Sequence, residues 1–454
     1  MAKYNEEQSR SLETKPVGRL LWEFAVPSII AMSANSIYNF CDSLFLGRVC
    51  GSMAIAGMTI TFPLMNIMSA FCALASTGGA ALTSIRMGMK IQKDTHRILG
   101  NVLFLNLLFA FLLLGFGLTY IDSILSAFGA SATTLPYARD YITIILLGIP
   151  VTHVLQSLLS QVRATGFPQA AMRTQLLTVL LNIGLDYIFI FEFGWGIKGA
   201  AFATILSQIC ALAYVLPRFF NKHNYQHFTR ETLHVRWAYI REIFSIGIAP
   251  FLANISGFLI VLVINRTLRS YGGDMYVGAY GITNRISQLL IMMVAGFSQG
   301  LQPIVGYNLG AQRIERVRET LIKAVAIATG IMTVGYALIA IFPDKLAALF
   351  AREPDIIDVC VPALRIALIT FPIVGSQMIA VSFFQSVHKA KLSMLITLSR
   401  QLLVLLPLLL WLPGQIGVTG VWWSMSLADL YSVSISGILL WRIVKQMKNG
   451  IVWH

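Results

Sequence analysis

Long apolar runs, separated by short polar and often basic stretches, recur twelve times along the chain. They fall at about 20–46, 53–85, 98–121, 137–162, 169–192, 199–220, 242–267, 276–305, 321–342, 359–387, 391–412 and 417–441. Most are long enough to cross a hydrocarbon layer of roughly 30 Å, which takes about 20 helical residues. In lipid each backbone N–H and C=O must find its partner inside the protein, so runs of this kind predict transmembrane α-helices. No linker between them is long enough to fold as a separate soluble domain. The expected fold class is an all-α polytopic membrane protein with twelve transmembrane helices.

Composition sharpens this. Hydrophobic residues make up 56% of the 454 and charged residues only 12%, against about a quarter charged in soluble domains; mean hydropathy is +0.72. The net charge of +14 reports orientation, not a nucleic-acid partner. With an inside amino terminus, Lys and Arg number 24 in inside segments and 8 in outside ones, with Arg285 and Arg400 within spans. That alternation is the positive-inside pattern. It puts both termini in the cytoplasm of a multi-pass protein of the prokaryotic plasma (inner) membrane, with some attraction to anionic lipid headgroups. Met1 to Lys15 is polar and the first apolar run is too long for a cleaved signal, so that run is read as a retained span. Cys41, Cys50, Cys72, Cys210 and Cys360 lack metal-ligand spacing and imply neither a disulfide framework nor a zinc site.

The two halves resemble each other. Ile60-Thr61 recurs as Ile282-Thr283, Ser76 as Ser298 and Gly88 as Gly310, all at an offset of 222, while Pro27 and Pro250 are 223 apart. Gly196-x-x-Gly199 recurs as Gly417-x-x-Gly420 at an offset of 221. Six spans per half give both halves the same orientation, hence a parallel pseudo-twofold repeat about an axis along the membrane normal. The expected organisation is a cytoplasmic segment 1–19, an amino-terminal lobe 20–220, a cytoplasmic linker 221–241, a carboxy-terminal lobe 242–441 and a cytoplasmic tail 442–454.

Three aspartates lie inside apolar spans: Asp42, Asp186 and Asp429. A carboxylate at a membrane helix centre costs roughly 2.5–3.5 kcal/mol on insertion scales. Asp42 and Asp186 have no Lys or Arg in their own spans, and the repeat puts Asn265 and Pro407 at the equivalent positions. The carboxylates belong to one half only, which points to function. Counting rise along each span puts Asp42, Asp186 and Thr204 in one layer on the outer side. Tyr38 and Asn182 each precede an aspartate by four residues and share its helix face. Two carboxylates, an amide oxygen and a hydroxyl suit a hard cation such as Na+, and the same cluster could carry protons. Pro27, early in the first span, removes a backbone hydrogen bond and is expected to bend that helix. Asp429 has Arg285 and Arg400 in its own half, so these three read as a structural ion pair or gate. His153, alone in mid-span, reads as a packing group.

Gly166-Phe-Pro-Gln-Ala170, Leu181-Asn-Ile-Gly-Leu-Asp-Tyr-Ile-Phe-Ile190 and Phe193-Gly-Trp-Gly-Ile-Lys-Gly-Ala-Ala-Phe-Ala-Thr204 resemble the multidrug and toxic compound extrusion (MATE) family. So do Ile55-Ala-Gly-Met-Thr-Ile-Thr-Phe-Pro63 and Gln299-Gly-Leu-Gln-Pro-Ile-Val-Gly-Tyr-Asn-Leu-Gly310. The likeness covers nearly the whole chain. It implies twelve helices in two six-helix lobes and a secondary active exporter of amphipathic, often cationic, organic compounds in exchange for Na+ or H+. Within the family the chain is similar to the DinF-like branch, whose ion site uses an Asp in the first helix, Asn-x-x-x-Asp in the fifth and a Thr in the sixth. Asp42, Asn182, Asp186 and Thr204 match that pattern, and Pro27 matches the branch's kinking proline. The NorM-like branch relies on acidic residues in the seventh and tenth helices, where this chain has only Glu242 at one end. No cofactor beyond the coupling ion is implied, and the expected partners are small amphipathic drugs and the lipid bilayer, the protein acting as a monomer. The alternative within transport is a flippase for lipid-linked oligosaccharides. A membrane enzyme is disfavoured, since the short outer loops and basic inner ones hold no paired carboxylates or metal-ligand spacing. A channel is disfavoured because no ring of like residues appears.

Overall fold

The computed structural model describes residues 11–350 and 353–448, apart from the side chains at 39, 40, 43 and 52; the outermost parts of both terminal segments lie outside the described residues. Every regular element among them is helical. The first, α1 (Val17–Gly88), is a continuous helical run broken at Gly51, whose φ of 74° and ψ of −175° separate two arms. That conformation is open to glycine at no steric cost. Then follow α2 (Gln92–Thr119), α3 (Leu135–Ala164), α4 (Pro168–Asp186) and α5 (Gly196–Val215). The second half holds α6 (Trp237–Gly272), α7 (Asp274–Gly310), α8 (Ile314–Ile341), α9 (Pro354–Ala367), α10 (Phe371–Ser386), α11 (Ala390–Ile416) and α12 (Thr419–Lys448).

Among the described residues eleven helices are long and apolar enough to span, counting the two arms of α1 separately, and α9 with α10 forms a twelfth, bent by 56°. The predicted run at 359–387 is thus one broken span. Pro372 has no N–H to return to the Leu368 carbonyl, so the helix restarts after Leu368–Thr370, with Phe371 N bonded to Leu368 O at 2.9 Å. Two further irregularities escaped the sequence pattern. A π turn, Tyr187–Glu192, continues α4, and another, Ser399–Leu405, lies inside α11.

The backbone forms two compact units, one built on Ile30–Phe251 and the other on Pro16–Ile29 with the residues from Leu252 onward. The boundaries fall inside α1 and α6, two residues after Pro27 and one after Pro250. Pro27 itself sits within regular helical backbone, the break in α1 lying at Gly51. Each unit carries the same kind of helix crossing. In the first, a Cβ on Gly78 would strike the Ile243 carbonyl oxygen, and one on Gly247 the Leu74 carbonyl oxygen. In the second, Gly300 and Gly296 of α7 meet the backbone of Ala25 and Ile29. Gly78 and Gly300 are 222 residues apart, so the internal repeat is expressed as repeated packing. Small residues matter here because lipid tails are as apolar as leucine, leaving close van der Waals approach and interhelical hydrogen bonds to hold membrane helices together.

The connection between the halves is tied to the first unit. Gln226 Nε2 donates to Thr95 O (2.7 Å) and Gln161 Oε1 (3.2 Å), while Glu231 bonds Arg97 Nε (2.8 Å) and Lys93 Nζ (3.0 Å). Those two cations hold the Glu231 carboxyl down at about 2. Asn101 closes the strap, donating to His234 O and accepting from Arg236 N.

Candidate ion and cargo site

One side of the site is set by α4. Asn182 and Asp186 are one turn apart on one face, both fully buried, and Asp186 is the last residue before the π turn. A π turn widens the backbone by one residue, a distortion frequent at functional sites. Aromatic packing covers the turn, with Tyr187 stacked on Phe191 and Phe191 edge-on to Phe45 of α1. The start of α5 lies so close that a Cβ on Gly199 would stand 3.0 Å from the Phe189 carbonyl. This close seat sets α5 beside α4 and brings Thr204 to Asn182, whose Nδ2 donates to Thr204 Oγ1 at 3.5 Å.

Asp42 of α1 joins from the other side, only 1% exposed. It lies close enough to Asp186 for the two carboxylates to interact, and Tyr38 and Tyr141 lie in the field of both. The Tyr38 hydroxyl also shares a hydrogen bond with Thr204. Asp42, Asn182, Asp186, Thr204 and Tyr38, selected from sequence, therefore occupy one neighbourhood. No Lys, Arg or His among the described residues pairs with either aspartate.

The hydrogen-bond account of this cluster is incomplete in one direction. Asp42 Oδ1, Asn182 Oδ1, Asp186 Oδ1 and Asp186 Oδ2 are buried and accept no hydrogen bond from any described residue. Buried polar atoms nearly always have a partner, and orphaned ones call for a specific explanation. All four orphans are acceptors. They fit a cation or a proton as their missing partner, and their oxygen chemistry is that of a hard ion. Among the described residues no three His, Cys, Asp or Glu side chains cluster as a metal site; the set mixes carboxylate, amide and hydroxyl oxygens.

Asp429 on α12 contrasts with this pair. It is 3% exposed, yet its Oδ1 accepts from Arg400 Nε at 2.6 Å and its Oδ2 from Thr370 Oγ1 at 3.2 Å. Arg400 sits in the π turn of α11. Arg285, grouped with them in the sequence, is exposed and bonded to no other described residue. His153 is buried, with Nδ1 bonded to Asn106 O at 3.1 Å. Asn106 Nδ2 in turn reaches Ser157 Oγ (2.7 Å) and Ser76 Oγ (3.1 Å), a network joining α1, α2 and α3.

Two connected cavities adjoin the cluster. The smaller, about 110 Å³, is lined by Tyr38, Asn182 and Thr204 together with Asn35, Gln175 and Gln208. The larger, about 400 Å³, shares Asn35, Tyr38, Gln156, Thr204 and Gln208 with it and extends along α3. Gln175 Nε2 donates to Asn35 Oδ1 at 2.7 Å across the smaller one. These amides were not singled out from sequence. The signal was present as polar positions at helical spacing within apolar spans: Asn35, Tyr38 and Asp42, then Gln175, Thr178, Asn182 and Asp186.

The family model described as MatE matches residues 27–188 and 246–411. Among curated relatives, the multidrug export protein MepA of Staphylococcus haemolyticus is 26% identical over 446 residues, covering 98% of this chain and 97% of that protein. Among solved structures, a ligand complex of the MATE multidrug transporter DinF-BH is 33% identical and covers 94% of this chain and 96% of that one, with a TM-score of 0.88. A MATE structure in the bent conformation shares the fold over 98% of both chains, with a TM-score of 0.92 at 22% identity. With matches across both halves of its repeat, this chain belongs to the MATE family of multidrug efflux transporters.

Proposed function

We propose that the protein is an antiporter, exporting amphipathic organic compounds from the cell against entry of Na+ or H+. Asp42, Asn182, Asp186 and Thr204 form the coupling site, with Tyr38 as its supporting hydroxyl. The observation that carries this reading is the set of four buried acceptor oxygens without a partner, beside an aspartate elsewhere in the protein whose two oxygens are both engaged. The ion is cargo here, entering from outside and leaving to the cytoplasm.

Coupling requires that ion and drug prefer different conformations, since a ligand shifts an equilibrium only by its differential affinity. Tyr38 and Thr204 border the drug-sized cavity and also contact the carboxylate layer, so occupancy of one is felt at the wall of the other. The two compact units are the bodies whose rocking alternates access, and Pro27, which lies in regular helix here but lacks an N–H for the Glu23 carbonyl, is the position at which α1 would bend between states. A tenfold inward gradient of a monovalent cation supplies about 1.4 kcal/mol, and an inside-negative potential adds about 2.3 kcal/mol per 100 mV. One ion in for one neutral drug out would then sustain a gradient of roughly 500-fold. The Arg400–Asp429 pair is structural, and Arg285 stands apart from it. The protein resides in the plasma membrane as a monomer with both termini inside. The oligosaccharide flippase reading is not favoured, since the relatives named above are multidrug transporters. The test is efflux of ethidium, a fluorescent amphipathic cation, from proteoliposomes. Asp42→Asn and Asp186→Asn should each abolish gradient-driven efflux while leaving insertion intact, and unchanged efflux in both would remove the coupling site.

A further inference from the structure

The larger cavity has a polarity that the carboxylate cluster conceals. Among the described residues, neither Asp42 nor Asp186 nor any other Asp or Glu lines it, and the one formal charge on its wall is the guanidinium of Arg163. Seven α3 residues form one side: Ile145, Ile149, Thr152, His153, Gln156, Ser160 and Arg163. Their spacing of three to four residues keeps them on one helix face, and from first to last they span 18 residues, or about 27 Å of helix. A sphere of 400 Å³ would be only about 9 Å across. The cavity is therefore a narrow track running along α3, with Ile145, Ile149, Met65 and Met68 supplying apolar wall.

Arg163 stands one residue from the end of α3, and helical side chains lean toward the helix N-terminus. Its guanidinium thus reaches back into the track. Several basic residues of the same unit have carboxylate partners, among them Arg86 with Glu242, Arg97 with Glu231, Arg139 with Asp122 and Lys198 with Asp140. Arg163 has none, and no described residue bonds its guanidinium, while its backbone carbonyl accepts from Gly166 N. Gln156, where the smaller cavity joins, lies seven residues or about 10 Å back along the helix.

We propose that this track binds amphiphiles whose headgroup is an anion, such as a carboxylate, sulfonate or phosphate. Arg163 takes the headgroup in a bidentate contact, and the tail runs along the Met65, Met68, Ile145 and Ile149 wall. Cargo then includes anionic or zwitterionic compounds and not only cations. This rests on the exporter reading for its place in transport, but binding itself requires no gradient.

The test uses a matched pair of probes with one tail and opposite heads, decanesulfonate and decyltrimethylammonium. Their binding to the purified full-length protein in phosphatidylcholine nanodiscs is measured by calorimetry without any ion gradient. Wild type should bind decanesulfonate more tightly than decyltrimethylammonium. Arg163→Gln should weaken decanesulfonate at least tenfold and leave decyltrimethylammonium unweakened, which also shows the variant to be folded. Arg163→Lys should restore most of the loss. Repeating the titration in phosphatidylglycerol discs separates two sources of the same chemistry. Weaker decanesulfonate binding there, dependent on Arg163, assigns the headgroup position to a lipid; equal binding assigns it to a soluble amphiphile. A wild-type preference for the cation, or equal effects of Arg163→Gln on both probes, would overturn the proposal. Because no gradient is involved, neither result depends on whether Asp42 and Asp186 couple transport.

Discussion

The contrast between the two kinds of buried aspartate yields a stability prediction. Asp429→Asn removes the charge from a carboxylate that accepts from Arg400 at 2.6 Å and from Thr370 at 3.2 Å. Hydrogen bonds to charged groups contribute about 1.5–3 kcal/mol each, and orphaning one partner of a buried ion pair costs roughly 3–5 kcal/mol. The Arg400 side chain is 27% exposed, which lets solvent offset part of that loss, so a net cost of about 2–3 kcal/mol is expected. Asp42→Asn and Asp186→Asn remove carboxylates with no cationic partner and orphaned oxygens, and should cost less than about 0.5 kcal/mol or stabilise the fold. Reversible unfolding of the purified proteins in mixed micelles, titrated with denaturing detergent, reads all three. A double-mutant cycle of Asp429→Asn with Arg400→Gln should return a coupling of at least about 1.5 kcal/mol. The reasoning fails if the three Asp→Asn variants destabilise equally, or if that coupling is below about 0.5 kcal/mol.

Three further outcomes are expected. Gly247→Val, which drives a branched side chain into the Leu74 carbonyl, should cost well above the roughly 1–3 kcal/mol usual for overpacking and reduce folded yield, whereas Gly437→Val, with open space around it, should leave yield unchanged. Tyr38→Phe removes the hydroxyl bonded to Thr204 and should weaken ion dependence of ethidium efflux about 3- to 10-fold, the worth of roughly 0.5–1.5 kcal/mol; a dependence equal to wild type would dismiss that contact. The strap between the halves should be acid-resistant. Since Glu231 is held below its ordinary value, at about 2, its contribution is complete above the usual glutamate range near 4.3 and fades only as pH falls toward 2. Pepsin at pH 4 should cut near residue 231 faster in Glu231→Gln than in wild type; equal rates would contradict this.

The spans and the repeat were legible because apolar length and basic punctuation are one-dimensional signals. So was the cluster around Asp186, because Asn182 and Asp186 share a helix face by spacing alone and Thr204 follows one short turn later. What sequence could not supply is azimuth. Counting rise per residue places Arg285, Arg400 and Asp429 at similar depth, but only rotation about each helix axis decides who meets, and Arg285 is exposed and makes no ion pair with Asp429. The break at Leu368–Thr370 follows from Pro372, yet proline is tolerated in many membrane helices and does not announce itself. The two π turns depend on tertiary packing around α4 and α11 and leave no periodic mark. By sequence Arg163 is simply one of the 24 Lys and Arg of the inside segments. Only the cavity along α3 reveals that its head has no partner and that no acid shares its wall.

The central claim concerns which oxygens couple the ion to the drug. The direct measurement is ethidium efflux from proteoliposomes under a Na+ gradient alone and a pH gradient alone, for wild type, Asp42→Asn, Asp186→Asn and Asp429→Asn. Efflux driven by at least one gradient, lost in the first two variants and retained in properly folded Asp429→Asn, is the predicted result. Gradient-driven efflux that survives both Asp42→Asn and Asp186→Asn would contradict the account.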